Sequence, residues 1–179
     1  MKRTIQSIAL AAALAIGAIP VLADTGGAPP PSDLSNQVRH QLVMIPYYNV
    51  FDDLNYSINN GVVTLSGAVT QPIVKQDAQS AVKRIPGVTA VVNNIKVLPL
   101  LTSDYQIRRA EYRAIFGYSN LYRYAMGAIP SIHIIVDNGD VTLVGVVNSQ
   151  ADKNVAYIRA SSVPGVFSVT NNLRVAEHS

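Results

Sequence analysis

The chain has 179 residues, no cysteine and no tryptophan, with 14 Lys and Arg against 11 Asp and Glu for a formal net charge of +3. Without cysteine there are no disulfide staples and no thiolate zinc site, so each folded unit must be held by its own apolar core. Two of the positive charges, Lys2 and Arg3, fall in a segment expected to be removed; subtracting them leaves +1, too little for a nucleic-acid footprint despite a sequence pI near 9.2.

Residues 1–23 read as a secretory signal peptide: Lys2 and Arg3 form the positive start, Ile5 to Ile19 the apolar stretch, and Val21-Leu22-Ala23 a small-residue cleavage site. The apolar stretch is shorter than the ~20 residues that a membrane-spanning helix needs. No cysteine follows it to carry a lipid anchor. The expectation is an exported, soluble protein with a mature chain starting at Asp24. Residues 24–31, DTGGAPPP, read as a flexible linker.

Order is expected from residue 32. Ser32 or Asp33 can cap a helix whose apolar positions Leu34, Val38, Leu42 and Ile45 recur at helical spacing, with Pro46 ending it. Tyr56 to Asn59 and Val62 to Val69 read as strands joined by a tight Asn60-Gly61 turn. Pro72 then opens a helix with Val74, Ala78, Ala81, Val82 and Ile85 on one face, Pro86-Gly87 stops it, and Val88 to Val97 is a final strand. A helix between the second and third strands allows those two to pair in parallel.

The stretch Asn60 to Val97 then returns as Asn138 to Val175 at a constant offset of 78, without a gap. Gly61 matches Gly139, Gly67 matches Gly145, Pro86-Gly87 matches Pro164-Gly165, and Asn93-Asn94 matches Asn171-Asn172. A repeat of this length is one structural unit present twice. The fold class is therefore α+β, with two tandem α-β-β-α-β modules over 32–98 and 103–176 joined by a linker at 99–102. Each module is expected to be a small mixed three-stranded sheet with two helices on one face.

The copies differ in two places. Ser103-Asp104 repeats Ser32-Asp33 at an offset of 71, so the second copy carries seven extra residues before its hairpin, around Ala125 to Ser131. They read either as a longer strand or tucked loop, or as an exposed partner-contact patch. The first helix of the second copy is also richer in Arg and Tyr. Ile107, Ala110, Ala114 and Ile115 can form its buried face, leaving Arg108, Arg109, Tyr112 and Arg113 around it, with Tyr122 and Arg123 following. Arginine pairs with phosphate and tyrosine favours the wet edge of a bilayer, so these six residues are the candidate lipid or partner contacts.

Catalytic raw material is sparse. His40, His133 and His178 form no metal-ligand spacing, Asp52-Asp53 reads as a polar turn, and no phosphate-cradling glycine motif is present. Neither a cofactor nor a metal is expected.

The order Val63-Thr64-Leu65-Ser66-Gly67-Ala68-Val69, helix, Pro86-Gly87-Val88 to Val97, and its copy at Val141 to Val147 and Pro164 to Val175, resembles the BON domain family, in particular its dual-domain periplasmic members. The resemblance implies a non-enzymatic protein of the cell envelope, acting in envelope integrity or osmotic and other stress survival. Its implied partners are anionic phospholipid at a membrane surface, contacted peripherally, or, in a chaperone-like role, outer-membrane protein clients.

Overall fold

A computed structural model of the chain describes residues 31–177. The expected signal peptide and His178 lie outside the described residues, as does the expected linker apart from Pro31. The first half is α1 (Pro31–Val43), β1 (Asp53–Asn59), β2 (Val62–Val69), α2 (Pro72–Lys83), β3 (Ala90–Asn93) and β4 (Lys96–Val97). The second half is α3 (Thr102–Phe116), a 3-10 turn (Tyr122–Ala125), β5 (Ile132–Asp137), β6 (Asp140–Val147), α4 (Gln150–Ser161) and β7 (Ser168–Val175).

The expected topology is observed twice. β1 pairs antiparallel with β2, and β5 with β6, across Asn-Gly turns in which Asn60, Gly61, Asn138 and Gly139 all have positive φ. That backbone matches strand twist, and Asn and Gly tolerate it best. The strand after the second helix pairs in parallel with the middle strand in both sheets. In the first sheet it is split into β3 and β4, correcting the continuous strand expected over Val88 to Val97.

The repeated asparagines explain the local geometry at the split. Asn93 donates from Nδ2 to the Lys75 carbonyl at 3.0 Å, and its Oδ1 accepts the Ile95 N–H. Asn171 does the same with Lys153 and Leu173. In each copy this side chain fastens the last strand to the second helix, which no backbone ladder can do.

Each module has its own core. Leu34, Val38, Leu42 and Ile45 meet Val63, Leu65 and Val69 of β2 and Val74, Ala78 and Val82 of α2. Ile107 and Ile115 meet Ile134, Val141 and Leu143, with Ala156, Ala160 and Leu173 closing the second core. Two residues of the α1–β1 loop of the first module cross over: Val50 is buried in the second core and the half-buried Phe51 packs against it. The Val50 carbonyl accepts the Ile134 N–H at 2.8 Å on the outer edge of β5. Nearby, Tyr48 stacks on His133 with centroids 5.5 Å apart, and Lys96 pairs with Asp137. The modules are thus docked along β5.

The extra residues of the second copy form a loop closed by the Ser131 N–H donating to the Tyr124 carbonyl at 2.8 Å. Met126, Gly127 and Ala128 are exposed, whereas Ile129 and Pro130 are half-buried. The segment does not lengthen β5, which begins at Ile132.

Candidate functional site

α3 carries most of the candidate contacts, and its neighbours fix its orientation. Arg159 of α4 donates from Nε to the Ala114 carbonyl at 3.0 Å, satisfying an acceptor at the C-terminal end of α3, and its guanidinium lies over the Tyr118 ring. At the other end Asp104 is fully buried and reaches across to accept the backbone N–H groups of Asn138 and Gly139, at 2.9 and 3.0 Å. It serves the β5–β6 turn and not the start of its own helix, where the flanking residue Leu101 makes no side-chain cap.

The buried face of α3 differs from the expected one. Ile107 and Ile115 are buried as expected, but Ala110 and Ala114 are only half-buried, while Asp104, Arg108, Glu111 and Phe116 are buried. Arg108 lies beneath the surface and donates from Nη2 to the Val136 carbonyl at 2.7 Å. Together with the Val50 carbonyl, it caps the outer edge of β5, which would otherwise offer unpaired backbone groups. Burial pulls its pKa below the ordinary arginine value, against the nearby charges of Asp104, Asp52 and Asp137. A headgroup cannot reach it.

Arg123 is half-engaged. Its Nη2 lies 2.8 Å from Oδ2 of Asp152 and its guanidinium over the Tyr124 ring. Burial pushes the Asp152 carboxyl up, but hydrogen bonds from Ser149, Tyr124 and Arg123 outweigh it and hold the group below its usual range. That cluster caps α4 and anchors the 3-10 turn. Tyr122, on the same turn, projects outward and is exposed.

The other three candidates come together. Arg109, Tyr112 and Arg113 line one surface concavity of about 370 Å³, and its remaining walls are Val50 and Phe51 from the first module. Tyr112 packs edge-on against Phe51 and Phe116, with centroids 6.4 and 4.9 Å away. Arg109 lies over the Tyr105 ring at 5.8 Å. Both arginines are exposed, and neither forms an ion pair among the described residues. An apolar-aromatic floor flanked by two guanidiniums outside any ion pair can receive a phosphate while its aromatic rings sit at an interface. Val50 and Phe51 carried no sequence signal for this role, since their place depends on how the modules dock.

On the buried side of α3 Glu111 is fully buried, and neither carboxylate oxygen has a hydrogen-bond partner among the described residues. Burial pushes its pKa up to about 8. The folded state therefore keeps the proton at pH values where the unfolded chain has released it, so this group's contribution to stability falls as pH rises from its ordinary value of 4.5 to about 8 and is level above. The slope is at most about 1.4 kcal/mol per pH unit. Glu111→Gln cannot ionise, so its stability relative to wild type should grow steadily between pH 5 and 8 in urea titrations. Parallel pH profiles for the two proteins would refute the buried, protonated carboxyl.

Among the described residues no cluster of three His, Cys, Asp or Glu could hold a metal ion. No helix among them is long and apolar enough to cross a membrane.

Comparison with known proteins agrees with the repeat. The BON domain family matches residues 32–99 and 124–177. The osmotically-inducible protein Y of Escherichia coli (strain K12) is 31% identical over 133 residues, 68% of this chain and 61% of that protein. The outer membrane lipoprotein DolP of Haemophilus influenzae is 32% identical over 110 residues, 62% of this chain and 56% of that protein. The chain thus spans about three fifths of the length of the curated relatives it matches. The C-terminal domain of CdsD, the structural protein of the type III secretion system of Chlamydia trachomatis, aligns over 81% of this chain and 98% of that one, at 14% identity and a TM-score of 0.32, too loose a superposition to bear weight. With the family matched in both halves of the chain, on the two sheets whose hairpins and parallel third strands repeat, the protein belongs to the BON domain family.

Proposed function

We propose that the protein is a non-enzymatic, periplasmic binding protein of the cell envelope that contacts anionic phospholipid headgroups peripherally through the exposed side of α3. The observation that carries this reading is the concavity where Arg109, Tyr112 and Arg113 meet Phe51 and Val50. Tyr105, which lies under Arg109, and Tyr122 on the 3-10 turn are further exposed aromatic side chains. Basic residues near an anionic leaflet each contribute about 1 kcal/mol, so two exposed arginines give weak binding that salt weakens further. Kinship to an outer membrane lipoprotein and to an osmotically inducible protein supports an envelope setting with a stress role.

The test is sedimentation with vesicles containing phosphatidylglycerol. The chain should pellet at low salt and be released at high salt, and Arg109→Ser with Arg113→Ser should abolish most of the pelleting. Equal pelleting of the double variant would reject these residues as the contact. Arg123→Ser, which breaks the Asp152 cluster, should reduce thermal stability more than vesicle binding.

A chaperone-like reading rests on a different observation. Among the described residues β7 pairs only with β6, and β1 only with β2, so each sheet keeps an outer edge able to add a strand from an extended client. Suppression of outer-membrane protein aggregation that survives high salt, without vesicle binding, would favour it.

A further inference from the structure

The side of the second sheet turned away from α3 and α4 carries His133 and Ile135 on β5 and Val144 and Val146 on β6, since their neighbours Ile134, Val141 and Leu143 point into the core. Such a face is ordinarily wet, yet His133 is only 8% exposed. The first module covers it, with Tyr48 stacked on the imidazole. The cover is incomplete. Between the modules runs an open groove of about 670 Å³, lined by residues of both. This is within the ~300–1,000 Å³ span of small-molecule sites.

The groove has a definite chemistry. Val144, Val146 and Pro130 give it an apolar wall, and Arg39 of α1 and Arg174 of β7 line it from opposite modules. Neither arginine makes a side-chain hydrogen bond or ion pair among the described residues. Asp53 is the one acid in the lining, and burial pushes its carboxyl above the usual range, against a hydrogen bond from Asn55 and the proximity of His133. The lining is therefore net positive. The His133 ring lines the groove, while its Nδ1 is buried away from it and has no hydrogen-bond partner among the described residues.

We propose that this inter-module groove binds a small amphiphilic anion, with a carboxylate or phosphate monoester head received by Arg39 and Arg174 and a short apolar chain lying along Val144 and Val146. The guanidiniums supply charge and bidentate donors. The apolar wall selects an amphiphile over inorganic phosphate. This site is separate from the exposed side of α3 and stands whether or not that side meets a membrane.

The experiment titrates the full chain with octanoate, octyl phosphate and, as a neutral control, octanol, each below its aggregation concentration, following the His133 ring and the Val144 and Val146 methyls by NMR. At least one of the two anions should give saturable one-to-one shifts at these positions, and whichever binds more tightly identifies the preferred head. Arg39→Ser with Arg174→Ser, both at exposed positions that leave the cores intact, should weaken binding at least tenfold. Arg109→Ser with Arg113→Ser should leave it unchanged. Absence of saturation, equal binding of octanol, shifts centred on α3, or undiminished binding by the Arg39/Arg174 variant would each overturn the assignment.

Discussion

Gly145→Ala is expected to unfold the second module under conditions where the wild-type chain is fully folded. Gly145 has φ of +125°, and a Cβ there would fall less than 3.0 Å from the Ser131 carbonyl oxygen. That oxygen cannot give way cheaply, because it is backbone and accepts the Val146 N–H at 3.0 Å. Relief requires either breaking the start of the β5–β6 ladder or moving β5 off Val50. The penalty combines the positive-φ cost of roughly 1 kcal/mol with a backbone clash, giving on the order of 4 kcal/mol, a large share of a small module's stability. Gly67→Ala repeats the situation in the first module, with φ of +110° and the Asp53 carbonyl in the way. Gly127→Ala is the control: φ is +116°, but its nearest neighbour is the Ile129 carbonyl at 3.7 Å, so only the conformational cost applies. Chemical denaturation should separate Gly145→Ala from Gly127→Ala by about 2 kcal/mol or more. Equal losses would mean that the close approach of β5 is not present in solution.

This pair of glycines also shows what a sequence can disclose. Gly67 and Gly145 sit at matching places within strands, where glycine suggests a bulge or a close approach by a helix; the repeat marks the steric problem, but what comes close is the backbone of the chain at Asp53 and Ser131 and no helix. Helical spacing likewise predicts the buried faces of α1 and α2 residue by residue, because an amphipathic helix over a sheet has one way to hide its apolar side. α3 breaks that logic. Asp104, Arg108, Glu111 and Ile115 follow one another at four, three and four residues and share a buried face, yet residue type assigns the first three to water. Their burial comes from the first module's loop and from β5, neither of which periodicity can locate. The Arg/Tyr signal on this helix was therefore divided by tertiary structure: Arg109, Tyr112 and Arg113 face outward around Phe51, whereas Arg108 became an edge cap. The inter-module groove was invisible for the same reason, since Arg39 and Arg174 stand 135 residues apart and meet only through docking.

Docking itself depends on Asp52, and its removal should separate the modules. The side chain is fully buried and accepts the backbone N–H and Nδ2 of Asn49 at 3.1 and 2.8 Å and the backbone N–H and Oγ1 of Thr70 at 2.6 and 2.8 Å. Asn49 in turn accepts the Phe51 N–H and donates to the Tyr47 carbonyl, so one carboxylate organises the loop that carries Tyr48, Val50 and Phe51. The loop is under tension, because Tyr47 is held at φ of +66°, a region a bulky residue enters only when its surroundings insist. Asp52→Ala leaves four donors without their acceptor and should cost about 3 kcal/mol or more. Asp52→Asn keeps one acceptor oxygen but turns an amide N–H₂ toward donors, so it should fall between alanine and wild type. A loss of stability alone would not prove a docking role; hydrogen exchange does. Below the unfolding transition, the Ile134 amide, which donates to the Val50 carbonyl across the modules, should exchange faster in Asp52→Ala, while the amides that β5 donates to β6 keep their protection. If Ile134 stays as protected as its neighbours, the loop is held by the Val50 and Phe51 side chains and Asp52 serves only the first module.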